Sequence, residues 1–401
     1  MKINGSEAVI KCLVEENVDT IYGYPGGAIM PIYDALYHYQ KEINHVLVRH
    51  EQGATHSAQG YSRSSGKVGV VFATSGPGAT NLITGIADAQ IDSTPMVCIT
   101  GQVASHLLGS DAFQETDIVG ISTPLTKWNF QVTRGEEIPE AIAKAFYIAK
   151  SGRPGPVLID ITKDAQFEMI DFKYEKCNKI RSYYPEPKTD ENTIDHAAEL
   201  INSAKKPFIV WGQGVIIAEA EKEFKSFIEK TGIPAAWTIL GASAIETEHP
   251  LNVGMVGMHG NYGPNVLTNE CDLLIAMGMR FDDRVTGDLN RYAKPTDQTT
   301  NIIMEEDDAY AILTRRLVEE HPVFGKGTGD KSARSNTRVN VRTKNLNETS
   351  THFTSLATLY GISKQLLAIP EFPDINPITP EGLLSRPTDV QLDQWYKELS
   401  L

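Results

Sequence analysis

Short apolar runs alternate with amphipathic stretches along residues 1 to about 165. The runs that predict strands are DTIYGYP, HVLVRHE, KVGVVFATSG, PMVCITGQ and GPVLIDIT. Apolar runs without strict alternation, separated by helical patterns, are typical of buried parallel strands. At most strand ends a turn containing Gly or Ser opens a helix, and open parallel sheets bind ligands outside the carboxyl ends of their strands. The pattern therefore predicts an α/β domain with a ligand site at that edge.

A second α/β unit is predicted over residues 191–294, and an extension to about residue 320 is left open. Its strands would be KPFIVWGQG, IPAAWTIL and CDLLIAMG, and EAEKEFKSFIEKTG would be a crossover helix that ends at Gly232. Between the two domains, residues 166–190 lose their periodicity and end in proline and charge, which is typical of an interdomain linker.

The composition changes from about Pro295 onwards. Residues 323–355 are polar with little periodicity, and residues 367–380 carry four prolines. Such composition predicts extended or partly disordered connections and no third α/β core. We therefore expect residues 295–401 to form an irregular, divergent tail after two successive parallel-sheet, three-layer α/β domains.

Charge and cysteine usage narrow the classes of function. The 401 residues include 37 Lys+Arg and 51 Asp+Glu, which gives a formal net charge of −14. This balance, without Lys/Arg-dense runs, argues against nucleic-acid binding and against attraction to a membrane surface. No stretch approaches the roughly 20 apolar residues that span a bilayer, and no signal peptide is recognisable, so a cytoplasmic protein is expected. The four cysteines are widely spaced, which argues against a disulfide framework and structural zinc.

Glu51 lies in VRHEQGA, where an apolar strand passes directly into a helix. A carboxylate at that point sits at the ligand-binding edge but partly out of water, which suits proton exchange with a heterocyclic nitrogen. The alternative is that Glu51 only interacts favourably with the helix dipole. This motif alone leaves the two interpretations open.

Three further motifs follow predicted strands. In ATSGPGATN, Gly76 and Gly78 let the backbone approach a ligand, and Pro77 stiffens the turn. Tyr24 in YGYPGGA and Phe113 in SDAFQETD place aromatic rings where they can pack on a planar cofactor, although either ring could equally belong to the core. A Gly-Pro-Gly turn is also a common connector. The specific signal is the order and spacing of all four motifs.

With these four motifs the sequence resembles the pyrimidine-binding domain of thiamine-diphosphate enzymes, and most closely the acetohydroxyacid synthase (acetolactate synthase) catalytic subunits. The resemblance runs from about Gly5 to Ala293 and also includes GRPGPVLIDITKD, GMHG and MGMRFDDRVTG. It implies a pyrimidine-binding domain over residues 1–165 and a central FAD-binding domain over residues 191–294. The implied cofactors are thiamine diphosphate, FAD and magnesium.

The resemblance assigns the proton exchange to Glu51, because the matching glutamate of the family bonds the N1′ nitrogen of the aminopyrimidine. In the family this contact promotes a ylid that attacks pyruvate; CO2 leaves, and the two-carbon unit passes to a second 2-keto acid. The implied pyrimidine contacts are Tyr24, Pro77, Asn81 and Gln114. The implied neighbours of the reacting keto acids are Gly27, Phe113 and Gln114.

The second domain would hold FAD, whose flavin is structural in this family. The residues that match its FAD contacts are Arg153, Gly212, Gln213, Gly214, Thr238, Ile239, Leu240, Gly257, Met258, His259, Gly278, Met279, Arg280, Asp282 and Val285. Arg153 and Arg280 suit pairing with a diphosphate, and the glycines allow close approach of backbone N–H groups. The alternative is that Arg280 and Asp282 belong only to a solvated charge cluster with Asp283 and Arg284.

One part of the family pattern is missing. The third domain of the family binds the diphosphate through magnesium with a Gly-Asp-Gly turn, and this string occurs nowhere in the sequence. The nearest match is Gly329-Asp330-Lys331, which Asn345 and Asn347 follow too soon for the paired asparagines of the family. Because a diphosphate needs such a metal or a comparable cationic clamp, we assign no metal ligand and expect catalysis to need the diphosphate half from another polypeptide.

The resemblance implies an enzyme subunit of branched-chain amino acid biosynthesis that acts on pyruvate and 2-ketobutyrate. It also implies a homo-oligomer, a dimer or a tetramer, and leaves open whether a small regulatory subunit docks. Two alternatives remain: a non-catalytic or truncated binding or assembly relative, and another flavin-containing thiamine enzyme such as pyruvate oxidase. Glyoxylate carboligase is disfavoured because it lacks the equivalent of Glu51. A dinucleotide-dependent dehydrogenase is disfavoured because Ile217 replaces the third glycine of GxGxxG.

Overall fold

The computed structural model describes residues 1–185, 191–288, 292–293, 299–304 and 339–344, and it divides the chain into two units, Met1–Pro185 and Glu186–Leu401. The strands of the first unit are β1 (Lys2–Asn4), β2 (Thr20–Gly23), β3 (Asn44–Leu47), β4 (Gly69–Ala73), β5 (Met96–Gln102), β6 (Trp128–Val132), β7 (Pro156–Thr162) and β8 (Met169–Asp171). Its helices are α1 (Gly5–Glu15), α2 (Met30–Tyr37), α3 (Glu51–Ser65), α4 (Pro77–Thr80), α5 (Ile83–Ile91), α6 (Ile118–Ser122), α7 (Ile138–Lys150) and α8 (Lys163–Phe167).

Six strands of the first unit form one parallel sheet in the order β3-β2-β4-β5-β7-β6. Both faces of this sheet are covered, as β4 shows. Val70 and Phe72 pack into the core on the side of α1 and α7, whereas Val71 and Ala73 pack into the core beneath α3 and α5. This confirms the predicted three-layer parallel α/β fold, and it accounts for the uninterrupted apolar runs, since the strands are buried on both faces.

Helix boundaries follow the local capping chemistry. Asn4 accepts a hydrogen bond of 2.8 Å from the backbone N–H of Glu7 and so caps α1. Gly66 ends α3 in the left-handed conformation, at φ 71°, that an L side chain rarely adopts. The same device ends the helix that we predicted to stop at Gly232.

Two features of the first unit differ from the sequence-based expectations. Strand β6 was not predicted, because it lies at the sheet edge, where polar and apolar residues mix. Residues 166–185, predicted as part of the linker, belong to the first unit. The reason is that β8 pairs antiparallel with β1, a contact between distant segments that leaves no periodicity in the sequence.

The second unit contains the strands β9 (Pro207–Trp211), β10 (Ala235–Trp237), β11 (Asn252–Met255), β12 (Leu273–Met277), β13 (Thr299–Met304) and β14 (Val339–Lys344). Its helices are α9 (Glu191–Ser203), α10 (Gly214–Ile217), α11 (Glu221–Thr231), α12 (Tyr262–Glu270) and α13 (Asp283–Thr286). Strands β9 to β12 form a parallel sheet in the order β11-β10-β9-β12, packed around a core that includes Trp211, Phe224 and Phe227.

Strands β13 and β14 pair antiparallel within the segment predicted as an irregular tail. The rest of that tail, including Gly329-Asp330-Lys331 and the asparagines after it, lies outside the described residues, and so does most of the predicted continuation to residue 320. Within the ranges that the structure describes, no helix is long and apolar enough to cross a membrane.

Candidate cofactor site

The order of the central strands brings three sequence motifs to one edge of the first unit. Strand β2 lies between β3 and β4, and all three run in the same direction. Their carboxyl ends therefore lie side by side and lead into YPGGA, HEQGA and TSGPGATN respectively. This is the edge at which open parallel sheets form a crevice for ligands.

Glu51 begins α3 and is buried, with 7% of its surface exposed. Its Oε2 atom accepts a hydrogen bond of 2.9 Å from the side-chain amide of Asn81. Its Oε1 atom lies beside Gly78, where an added Cβ would come within 3.2 Å of it. No hydrogen bond to Oε1 is found within the described part of the chain. A buried carboxylate with one satisfied and one free oxygen is suited to receive an N–H group of a ligand.

Gly76 contacts the remaining motif, SDAFQETD, and so brings it to the same edge. It has φ 57°, and a Cβ at this position would lie 2.7 Å from the backbone oxygen of Gln114. Gln114 itself has φ 58°, which is uncommon for a residue with a side chain. The Gly-Pro-Gly turn and the Gln114 segment therefore pack backbone against backbone, an approach that only glycine permits.

The segment after β2 is fixed at Ala28, whose backbone N–H and carbonyl both form hydrogen bonds. Its N–H donates to Thr74 Oγ1 at 3.2 Å, and its carbonyl accepts from Gln166 Nε2 at 2.9 Å. Gly101 completes the contact, because a Cβ there would collide with the Ala28 carbonyl. Gly27, by contrast, faces open space, with no atom within 4 Å of an added Cβ. The backbone at Gly27 is thus fixed while its own surface is left free for a ligand.

The two predicted aromatic contacts are not core residues. Phe113 is 88% exposed and Tyr24 is 43% exposed, and Pro77 and Gln114 are exposed as well. The structure therefore places Glu51, Asn81 and the two glycine turns together at the base of the crevice. The aromatic and amide side chains that we predicted to contact ligands lie at its accessible rim.

Tyr33 was missed by the sequence analysis. Its hydroxyl lies 3.3 Å from His45 Nε2, and the absence of a side chain at Gly23 makes room for it. Burial, with a smaller contribution from the charge of Glu51, raises the pKa of Tyr33, and burial lowers the pKa of His45. Tyr33 therefore stays neutral near the carboxylate. The available signal was a tyrosine on the face of α2 that otherwise carries apolar residues.

These observations fit an aminopyrimidine. The free Glu51 oxygen can accept from a protonated ring nitrogen, and Asn81 keeps the carboxylate in place. A contact of Glu51 with the dipole of α3 alone would require neither the burial of its carboxylate nor the bond from Asn81.

The residues matched to FAD in the second unit follow the carboxyl ends of its four parallel strands. Gly212 to Gly214 follow β9, Thr238 to Leu240 follow β10, Gly257 to His259 follow β11 and Gly278 to Val285 follow β12. Two of the turns interlock, since Gly214 N–H donates to Gly278 O at 2.8 Å and neither position has room for a Cβ. Exposed Ile239 and Met258 add apolar surface at the same edge.

The side chain of Arg280 supplies a positive charge at this edge, which suits a diphosphate. Arg280 is partly exposed and pairs with Asp282 at 3.5 Å, and Asp282 also caps α13. Met279 is buried, with 1% of its surface exposed. Arg153 lies in the first unit, where its guanidinium donates to Ser93 Oγ and Ile91 O. Its flavin contact stays a prediction.

A separate groove in the first unit contains none of the predicted residues. It is lined by α7 and residues 170–179, with acidic and basic side chains intermixed around the free thiol of Cys177. Among the residues that the structure describes, no three His, Cys, Asp or Glu side chains converge on a point that could hold a metal ion.

Each of the two units contains a stretch that matches a protein-family model. Residues 3–121 match the family described as thiamine pyrophosphate enzyme, N-terminal TPP binding domain. Residues 194–325 match the family described as thiamine pyrophosphate enzyme, central domain. The two matches fall on the two parallel sheets, one in each unit.

Three curated proteins with similar sequences are all named acetolactate synthase large subunits. The chain is 51% identical over 292 residues to the acetolactate synthase large subunit of Corynebacterium glutamicum, covering 73% of this chain and 46% of the relative. It is 50% identical over 294 residues to a probable acetolactate synthase large subunit of Methanocaldococcus jannaschii, covering 73% and 49%. It is 48% identical over 291 residues to the acetolactate synthase isozyme 2 large subunit of Escherichia coli, covering 73% and 52%. The chain thus spans about half the length of these relatives.

Proposed function

The chain belongs to the thiamine pyrophosphate enzyme family, and we propose that it is a catalytic subunit of the acetolactate synthase type. The proposed reaction is the decarboxylation of pyruvate and the transfer of the two-carbon unit to a second 2-keto acid, pyruvate or 2-ketobutyrate. The observation that carries the proposal is the buried Glu51 carboxylate, bonded by Asn81 through one oxygen and open to a ligand through the other.

The residues of the crevice would divide the work as follows. Thiamine diphosphate, when bound, supplies the carbon nucleophile and the electron sink of the reaction. Glu51 would accept and return a proton at the pyrimidine ring, and Asn81 would hold its carboxylate in place. Tyr24, Pro77 and Gln114 would line the ring, while Phe113 and Gly27 would border the keto acids and limit the access of water.

The second unit would bind FAD at the carboxyl ends of β9 to β12. Backbone N–H groups of the interlocked Gly212–Gly214 and Gly278 turns would approach the dinucleotide, and Arg280 would pair with its diphosphate. Exposed Ile239 and Met258 would pack on the flavin or adenine ring. In this proposal the flavin is structural, as the resemblance implies.

The active enzyme would need a diphosphate-binding half with magnesium in addition to the residues described. We propose that the chain works as a homo-oligomer, a dimer or a tetramer, and that the diphosphate half faces the Glu51 crevice from another polypeptide. A small regulatory subunit is a further proposed partner.

The test uses the full chain with thiamine diphosphate, magnesium, FAD and pyruvate, alone and mixed with the C-terminal half of the Escherichia coli relative. We expect the mixture to form acetolactate and to bind thiamine diphosphate in a calorimetric titration. A chain that binds neither thiamine diphosphate nor FAD and forms no acetolactate in either preparation would instead be a non-catalytic relative. Bleaching of bound flavin by pyruvate without oxygen would identify a pyruvate oxidase.

A further inference from the structure

A fully buried carboxylate that no ligand contact explains lies between strands β5, β6 and β7. Asp160, in β7, has no exposed surface. Thr100 donates to its Oδ1 atom at 2.6 Å, and the side-chain amides of Gln102 and Gln131 each donate to its Oδ2 atom at 3.0 Å. All three neighbours donate, which matches the acceptor-only character of an ionised carboxylate. Burial raises the pKa of Asp160, and the three hydrogen bonds act in the opposite direction.

Gln102 extends this network to both ends of one loop. Residues 103–117, here called the Gln114 loop, connect β5 to α6. Gln102 Oε1 accepts from the backbone N–H of Val103 at 2.9 Å, and Gln102 Nε2 donates to the carbonyl of Thr116 at 2.9 Å. One buried amide therefore joins the first residue of the loop to its penultimate one. Because Asp160 only accepts, the amide cannot turn over without losing its bonds at both ends.

The far part of the loop is tied together by its own residues. The Glu115 carboxylate accepts from the backbone N–H groups of Gly109 and Ala112. Gln114, next to it, is packed against Gly76 at the crevice. Thr116 is therefore linked to Gln114 through Glu115, whose carboxylate ties this part of the loop together.

The two sides of the loop have separate anchors. Ser105, on the N-terminal side, bonds the carboxylate of Asp164 through its backbone N–H and its hydroxyl. On the C-terminal side, the Gln102 amide holds Thr116. The influence of Gln102 should consequently be greatest at residues 113–116.

We propose that Gln102 is a positioning residue for Gln114, and that the buried carboxylate of Asp160 fixes the orientation of its amide. The inference deepens the proposed function, on which it rests, because Gln114 is one of the side chains proposed to line the pyrimidine ring.

The test compares the same substitution at two neighbouring glutamines. Gln102→Met and Gln131→Met each remove one amide bond to Asp160, but only the first removes the bonds to the Gln114 loop. Hydrogen–deuterium exchange of the full chain is measured by mass spectrometry. We expect Gln102→Met to speed exchange about tenfold at the Glu115 N–H, which bonds the Ala112 carbonyl, with Gln131→Met close to the wild type there. Equal exchange of this N–H in the two variants would refute the inference.

Two further measurements separate positioning from a general loss of stability. Asp164→Ala should loosen the N-terminal side of the loop at Ser105 and leave the Glu115 N–H protected, because it removes the acceptor of both Ser105 hydrogen bonds. In calorimetric titration with thiamine diphosphate of the chain mixed with the C-terminal half of the Escherichia coli relative, Gln102→Met should weaken binding by about tenfold and Gln131→Met should leave it close to that of the wild type. If the wild-type mixture binds no thiamine diphosphate, the proposed function fails, while the exchange comparison still decides whether Gln102 holds the loop.

Discussion

Asn81 donates its side-chain amide to the carboxylate of Glu51 at 2.9 Å, across 30 residues of sequence and from a different motif. The bond joins the turn after β4 to the helix that follows β3. It engages one carboxylate oxygen and so fixes the direction of the other. This arrangement distinguishes Glu51 from a glutamate that merely begins a helix, and it gives the proposed function its most direct test.

Glu51→Gln should reduce acetolactate formation steeply, by roughly 10²–10⁴-fold, the range that general acid–base groups contribute. The neutral amide can still bond Asn81 but cannot take a proton. The rate is measured in the mixture that turns over pyruvate. An unchanged rate would remove Glu51 from the mechanism.

Glu140→Gln provides the matched control for helix-dipole effects. Glu140 lies in the first turn of α7 and is exposed. Both substitutions should lower helix stability by about 0.3–1 kcal/mol, and only the one at Glu51 should affect the rate.

Gly78→Ala should weaken thiamine diphosphate binding and destabilise the first unit by about 1–3 kcal/mol. The added methyl would lie 2.7 Å from Thr74 Cγ2 and 3.2 Å from Glu51 Oε1, so one of them must move. Urea unfolding and calorimetry measure the two effects. Gly60→Ala, in the open interior of α3, should instead stabilise the fold by about 0.5–1 kcal/mol.

Gly278→Ala and Gly232→Ala should separate backbone strain from close packing in the second unit. Both glycines have positive φ, 60° and 68°, so each substitution costs about 1–2 kcal/mol of strain. Only Gly278 also faces a collision, 2.5 Å from Val215 N. We expect Gly278→Ala to abolish FAD binding and lower the melting temperature much further. Equal decreases of the melting temperature in the two variants would contradict the close packing of the Gly214 and Gly278 turns.

Acid should weaken the hydrogen bonds that the Asp19 carboxylate, just before β2, accepts from Lys67 and Tyr61. The hydrogen bonds from Lys67 and Tyr61 lower the pKa of Asp19 to about 2. Since an unfolded aspartate titrates near 3.9, this contribution is present above about pH 4 and is lost as the pH falls toward 2. Asp19 is half exposed, so the effect should be about 1 kcal/mol or less. Urea unfolding from pH 7 to 3 should show a shallower acid loss in Asp19→Asn, and parallel curves would refute the assignment.

The sequence predicted the parallel α/β fold because β4, β5 and β7 are buried on both faces and are therefore mainly apolar. It did not predict β6, β11 or the pairing of β1 with β8, which are edge or short strands with mixed composition. A boundary near residue 165 followed from the loss of periodicity there. Only long-range contacts show that the first unit continues to Pro185: the pairing of β8 with β1, and the hydrogen bonds of the Tyr174 and Tyr183 hydroxyls to Glu16 and Ser151.

From the sequence, only those residues of the candidate cofactor site that lie in recognisable family motifs could be predicted. Glu51, Asn81 and Gln114 were singled out because they lie in recognisable strings. Gln102 and Asp160 were passed over because each stands inside a run that predicts a strand. Their polarity in a buried strand was the available signal, since a polar group in such a place needs a partner. Which partner it has depends on strand order, and no local pattern encodes that order.

The empty volume above Gly27 bears on how such a protein can diversify. Ala28 is clamped on both sides, so the chain path at this point does not depend on what its neighbour carries. A bulkier residue at position 27 would intrude on the keto acid that we propose to bind there and not on the fold. Evolution could therefore alter the choice of acceptor at this one position while the architecture stays intact.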